Sequence, residues 1–174
     1  MDATRSALIV PIPEAEPAVA KHRDRLDLAA AWGVPAHVTV LYPFLPAAEL
    51  DEHVLATLKR IVAGVPAFFL TLDGIDWFGD RTVWLSPNPA EPFRRLTAEV
   101  VAHFPGYLPY GGAFDEVVPH LTIGEGHPVE ELTAAGEAIL PYLPIHARVD
   151  AVRLITGREE PGGSWLTRAV FPLG

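Results

Sequence analysis

Two short segments constrain this chain more than any other feature of it. His37-Val38-Thr39-Val40 sits inside Pro35 to Phe44, and His120-Leu121-Thr122-Ile123 follows Pro119 directly. Each reads His, apolar, Thr, apolar. Side chains on a β-strand alternate between faces, so a strand with this pattern sends Val38 and Val40, or Leu121 and Ile123, into a core. Its His and Thr then project together from the opposite face. A single His-x-Thr triple arises easily by chance. Two copies with apolar flanks, near one fifth and two thirds of the 174 residues, predict a fold with two similar halves.

The segments around the tetrads read as alternating helices and strands. Ser6 to Pro11 predicts a short buried strand, and Glu14 to Trp32 a helix opened by prolines and stopped by Gly33. After the first tetrad, Pro46 to Val62 carries Leu50, Val54, Leu58 and Ile61 on one helical stripe, ended by Gly64 and Pro66. Phe68 to Trp77 and Thr82 to Ser86 flank Gly79-Asp80 and predict a hairpin. A third helix follows the break at Pro87 to Pro92, with Phe93, Leu96, Val100, Val101 and Phe104 buried. Pro105 to Asp115 reads as a Gly-, Pro- and Tyr-rich loop leading into the second tetrad. Pro128 to Leu140 predicts a fourth helix, and Ile145 to Thr156 with Trp165 to Phe171 a closing hairpin around Glu159 to Gly163. The order nearly repeats, with no linker or low-complexity tract between the halves. The expectation is therefore an α+β fold in a single domain, 1–174, with two pseudo-symmetric lobes carrying the tetrads at 37–40 and 120–123.

Composition narrows the chemistry. Nearly half the residues are apolar, enough for a sizeable core. There are no cysteines, which removes disulfide frameworks, Cys-based zinc sites and thiol nucleophiles, and is in keeping with a reducing compartment. The polar start and the proline-broken run Ala7 to Pro13 read as neither signal peptide nor membrane span, so a cytoplasmic protein without a membrane partner is expected. The net charge of −9 disfavours tracking along a long nucleic acid, which needs a basic stripe to displace counterions. A small phosphate ligand or an RNA end remains compatible, because dispersed arginines such as Arg5, Arg81, Arg148, Arg153, Arg158 and Arg168 can clamp one phosphate without a basic surface. Nothing in the chain asks for an oligomer, and a monomer is the expectation.

Set side by side about a local two-fold axis, two His-x-Thr strands place two imidazoles and two hydroxyls around a gap that suits one phosphate. In-line displacement at phosphorus needs a base at the attacking oxygen and an acid at the leaving oxygen on the opposite side. Imidazole titrates near neutrality, so one ring can be neutral while the other is charged, and Thr hydroxyls can donate to the non-bridging oxygens. His37, Thr39, His120 and Thr122 are thus the candidate catalytic residues. The arrangement requires no metal or other cofactor, and neither tetrad brings an acidic or Cys third ligand for one. Tyr42, Tyr110 and Trp165 lie near a tetrad or in turn-rich segments, where an aromatic ring could stack on a base. His22, His53, His103, His127 and His146 lack a partnered motif and read as surface or structural. No glycine-rich phosphate loop or Gly-x-Ser-x-Gly elbow occurs.

The doubled His-x-Thr-x, with Pro35-Ala36-His37-Val38-Thr39-Val40-Leu41-Tyr42-Pro43-Phe44 and Val118-Pro119-His120-Leu121-Thr122 around it, resembles the signature of the 2H phosphoesterases, and within them the bacterial proteins similar to 2′,5′ RNA ligase and its cyclic phosphodiesterase relatives. Phe78 to Leu85 and Trp165 to Leu173 look similar too, with less specificity. The resemblance implies a bilobal fold in which two antiparallel sheets line a central cleft with helices outside. It also implies metal-independent opening of a cyclic phosphodiester, such as a 2′,3′-cyclic nucleotide or RNA end. After the second tetrad the chain runs Gly124-Glu125-Gly126, placing an acid where a phosphate-binding base would be easier to rationalise. Two alternatives stay open: joining of RNA ends through a 2′,5′ linkage, and a non-catalytic module that binds a nucleotide or phosphorylated metabolite in the cleft.

Overall fold

The computed structural model describes residues 2–114 and 116–174. Met1, in the polar start, and Asp115, which ends the predicted 105–115 loop, lie outside the described residues. The strands are β1 (Arg5–Pro11), β2 (His37–Leu41), β3 (Phe68–Phe78), β4 (Thr82–Asn88), β5 (Leu121–Glu125), β6 (Ile145–Val149), β7 (Ala151–Gly157) and β8 (Trp165–Pro172). The helices are α1 (Glu16–Leu26), α2 (Leu28–Ala31), α3 (Glu52–Ala63), α4 (Glu91–His103) and α5 (Val129–Ile139). All eight strands join one sheet in the order β6-β3-β4-β5-β2-β1-β7-β8, every neighbouring pair antiparallel.

The period-2 pattern of the inner strands decides what covers each face. Leu8, Val10, Val38, Val40, Leu121 and Ile123 point into the main core. Val19 and Leu26 of α1, Leu58 and Ile61 of α3, Phe93 and Leu96 of α4, and Leu132 and Ile139 of α5 close over them. The residues between them turn the other way. Ala7, Ile9, Ile155 and Trp165 form a smaller cluster with Val34 on the opposite face, beside the tetrad hydroxyls and imidazoles. One face of the sheet is therefore packed under helices and the other floors a cavity.

This corrects the expected pair of sheets. The two halves are one sheet because the tetrad strands β2 and β5 are themselves neighbours, joined through the register pair Val38 opposite Leu121. The expected strand Ile145 to Thr156 is also corrected. It breaks at Asp150, and its two pieces diverge: β6 pairs with β3 at one edge, whereas β7 pairs with β1 and β8 near the other. One residue spans only a few ångströms, so strands far apart in the sheet order meet at Asp150 and the sheet must curl back on itself.

Two helix boundaries also shift. The predicted 14–32 helix stops at Leu26, because the Asp27 carboxylate accepts from Ala29 N–H at 3.2 Å and starts α2 as a new cap. The predicted 46–62 helix starts later, where Asp51 caps α3 by accepting from Val54 N–H at 2.9 Å. The hairpin, the third and fourth helices and the first tetrad strand form close to where the pattern places them. Among the described residues, no helix is long and apolar enough to cross a membrane.

Candidate active site

The floor of the cavity is set by one register. β2 and β5 run antiparallel with Val38 opposite Leu121, so the residues on either side bring His37 against Thr122 and Thr39 against His120. Cross-strand partners share a face, which puts all four side chains on the cavity side as a two-by-two array with the histidines on its diagonal. Diagonal positions in such a ladder are separated by roughly 7–8 Å, a span suited to one phosphate held between two ring nitrogens. His120 itself precedes β5 by one residue. The cavity encloses about 840 Å³, and all four tetrad residues line it.

Both imidazoles are held in the same way. His37 Nδ1 lies 2.8 Å from the Pro35 carbonyl oxygen, and His120 Nδ1 lies 2.7 Å from that of Val118. A carbonyl only accepts, so each Nδ1–H donates and each Nε2 is left for a ligand. The loop before His37 is fixed from behind. Glu16 Oε1 accepts from Ala36 N–H at 2.6 Å, and the buried Arg23 guanidinium donates to the Val34 carbonyl at 3.1 Å while pairing with Asp27 at 3.0 Å. Burial pushes the Asp27 carboxyl above its ordinary range, and Arg23 with the Ala29 N–H opposes it.

The surroundings of the two rings differ. Burial pulls His37 down to about 4; the Pro35 carbonyl opposes this, while the Arg23 guanidinium and the His120 ring reinforce it. His120 is also lowered by burial, but the Val118 carbonyl and the Glu125 carboxylate both favour its charged form. Aromatic rings bracket His120: Phe78 meets it edge-on with centroids 4.9 Å apart, and Trp84 stands at 5.7 Å. Trp84 lies in register with Thr122 of β5, so the same ladder that sets the tetrad sets this wall.

Tyr42, Tyr110 and Trp165 all line the cavity. Trp165 is pinned, since a Cβ at Gly157 would fall 2.4 Å from its ring, and Tyr42 meets it edge-on at 6.1 Å. Tyr110 has a positive φ of 52°, a conformation disfavoured for a residue with a Cβ, and its N–H donates to the Tyr42 carbonyl at 2.7 Å. Burial and then Glu125 hold its phenol above the ordinary value, opposed by a hydrogen bond with Thr39, so its hydroxyl as well as its ring belongs to the site. Of the arginines singled out in the sequence, Arg81 reaches the cavity; Arg148 instead sits over Phe69 at 5.3 Å, and Arg158 pairs with Glu160 at 2.8 Å.

Sequence reading missed three contributors. Arg23 carries no signal in a helical charge pattern; Phe78 and Trp84 lie in the Phe78 to Leu85 stretch that resembles the family, but nothing local gives either ring a role. Among the described residues, no group of three His, Asp or Glu side chains converges in the way that holds a metal ion.

Comparison with known proteins follows the same lines. The family model of the 2′-5′ RNA ligase superfamily matches residues 11–161. The fold is similar to the crystal structure of TT0787 of Thermus thermophilus, at 20% identity and a TM-score of 0.69, with 97% of each chain covered. It is also similar to E. coli LigT complexed with 3′-AMP, at 18% identity, 99% of each chain and a TM-score of 0.63. A third crystal structure, described as a phosphoesterase, aligns at 17% identity over 98% of each chain with a TM-score of 0.59. At these identities the likeness is one of fold. No curated protein matches the chain by sequence.

Proposed function

The chain belongs to the 2′-5′ RNA ligase superfamily, and from that membership and its paired imidazoles we propose that it is a metal-independent phosphodiesterase that opens 2′,3′-cyclic nucleotide or RNA-end phosphodiesters. The observation that carries the reading is the matched pair of Nδ1–H bonds to the Pro35 and Val118 carbonyls, which leaves two Nε2 atoms to serve one phosphorus. The whole of 1–174 acts as one unit, since the tetrads come from opposite halves of the sheet.

Water is the nucleophile. His37 is the base: burial and Arg23 keep it neutral, so its Nε2 takes the proton as the water oxygen bonds to phosphorus. The bond from phosphorus to one ring oxygen breaks in line, and His120, whose charged form Glu125 favours, gives that oxygen a proton. Thr39 and Thr122 donate to the non-bridging oxygens as charge builds on them. The product is a nucleotide monoester with one free ribose hydroxyl, and proton exchange with water resets the two rings. With an RNA 5′-hydroxyl in place of water as the nucleophile, the same groups would open the ring at its 3′-oxygen, protonate that oxygen and join the ends through a 2′,5′ linkage. The acidic composition favours hydrolysis of small substrates or short ends over a grip on long RNA.

A panel of 2′,3′-cyclic nucleotides and 2′,5′-linked dinucleotides, assayed with EDTA and without added metal, tests the reading. Turnover of the cyclic substrates in EDTA is expected. Full loss in EDTA, restored by a divalent ion, would replace it with metal-assisted hydrolysis.

A further inference from the structure

The cavity offers little free positive charge for a protein that handles phosphate. Among the described residues, four carboxylates line it, from Asp27, Glu116, Glu125 and Glu159. Asp27 is paired with Arg23 at 3.0 Å and Glu159 with Arg5 at 3.7 Å, and one guanidinium, from Arg81, lines the cavity itself. That guanidinium is already matched. Arg81 Nε lies 3.9 Å from Glu125 Oε1, and the same oxygen accepts from the Thr82 hydroxyl at 3.3 Å. Glu125 is held there by its register opposite Thr82 at the end of β5, and the next residue, Gly126, donates its N–H to the Arg81 carbonyl at 3.0 Å. The neighbouring walls are uncharged aromatic rings, among them Trp32, Phe78 and Phe114. A phosphodiester between His37 and His120 carries one negative charge and meets two imidazoles. A second phosphate on the same molecule would meet guanidinium groups already matched by carboxylates, and the carboxylate of Glu116.

We propose that Glu125 makes this cavity selective for substrates whose single negative charge is the cyclic phosphodiester itself, and against those that carry a second phosphate. The substrate class is then a neutral, aromatic-bodied molecule with one cyclic phosphodiester, such as a nucleoside 2′,3′-cyclic phosphate with a free 5′-hydroxyl. The inference rests on the phosphodiesterase reading above and sharpens its substrate. Because Arg81 and Glu125 stand at the exposed rim, their field is screened by salt, and discrimination of about five- to tenfold is expected rather than an absolute block.

The test compares kcat/KM for adenosine 2′,3′-cyclic phosphate with that for the same compound bearing a 5′-phosphate, at low salt. The unmodified protein should prefer the first by about fivefold or more. Glu125→Gln keeps a hydrogen-bonding side chain opposite Thr82 and should bring the ratio close to one, even if it slows both substrates through His120. Glu137→Gln, an equal charge change on the exposed face of α5, should leave the ratio where it was. A ratio of one in the unmodified protein, a preference for the 5′-phosphorylated compound, or no change in Glu125→Gln would overturn the proposal. Calorimetric binding of adenosine 3′-monophosphate and adenosine 3′,5′-bisphosphate separates the two readings. If no cyclic compound is turned over, the phosphodiesterase reading fails; tighter binding of the monophosphate, lost in Glu125→Gln, would still uphold the charge selection. Equal binding of both probes by the unmodified protein would overturn it.

Discussion

Val38 stands opposite Leu121, and this pair places Thr39 against His120 and His37 against Thr122. The two imidazoles therefore occupy opposite corners of one array, the arrangement the proposed acid and base need. His37→Ala and His120→Ala should each lower kcat by about a hundredfold or more, and the double variant should be little worse, because the two rings act as one unit. Steady-state kinetics on a 2′,3′-cyclic nucleotide decides it. Wild-type turnover in either variant, with nucleotide binding retained, would assign the cavity to binding alone.

Thr39→Val and Thr122→Val keep shape and strand propensity while removing a donor. Each should lose roughly 1–3 kcal/mol of transition-state stabilisation, read as kcat/KM, with the unfolding midpoint nearly unchanged. Tyr110→Phe removes the hydroxyl beside Thr39 but keeps the ring that meets Phe114 edge-on at 5.8 Å. A loss confined to kcat would assign that hydroxyl to the transition state, and a loss confined to KM would assign it to ground-state binding.

The pH profile should be bell-shaped with an acidic optimum. The base must be neutral, so kcat/KM falls as pH drops through the His37 value of about 4. The acid must be protonated, so it falls again as pH rises through the His120 value, which lies below the ordinary 6.5. Glu125→Gln removes a group that favours the charged ring and should move the alkaline limb to lower pH. Stability follows the same ring. His37 binds its proton less readily folded than unfolded, so folding is favoured above 6.5 and that contribution is lost as pH falls from 6.5 to about 4. The full shift corresponds to about 3 kcal/mol, a ceiling because His37 is half-buried and lines the cavity. Denaturant titrations of wild type and His37→Ala at both ends of that window should show a smaller loss in the variant, what remains there coming from other histidines that burial lowers, such as His120 and His22.

Arg23→Met should destabilise the protein by about 3–5 kcal/mol, because it leaves the Asp27 carboxylate without its buried partner and the Val34 carbonyl without its donor. Arg23→Met combined with Asp27→Asn should recover part of this. The measurement is a double-mutant cycle on unfolding free energy, in which additive losses would dismiss the coupling.

The tetrads were legible because their information is local: period-2 alternation sets which side chains face a cavity, whatever the neighbouring strand. The buried stripes of α4 and α5 were legible for the same reason, Phe93, Leu96 and Val100 recurring at helical spacing. The break at Asp27 was hidden because the helical pattern continues on both sides of it; what ends α1 is a carboxylate that caps α2 and is held by Arg23 from the preceding turn. The parting of β6 from β7 at Asp150 was hidden more deeply. Ile145 to Thr156 has one continuous strand pattern, and nothing local states that its first half pairs with β3 and its second with β1. The asymmetry between the histidines was illegible in two near-identical tetrads, since it comes from Arg23 behind one ring and Glu125, Phe78 and Trp84 around the other.

The joint at Asp150 also dictates an order of assembly. β3 waits for a partner in β6, and β1 for one in β7, yet both partners lie in the last thirty or so residues of the chain. During synthesis the earlier strands emerge first and hold open edges until that final segment arrives. Pairings between the two ends of a chain have high contact order, so their closure is slow compared with the helices that form beside them. The stretch from Ile145 to Pro172 thus works as a clasp, and both flanks of the sheet that carries the two histidines are completed only when it shuts.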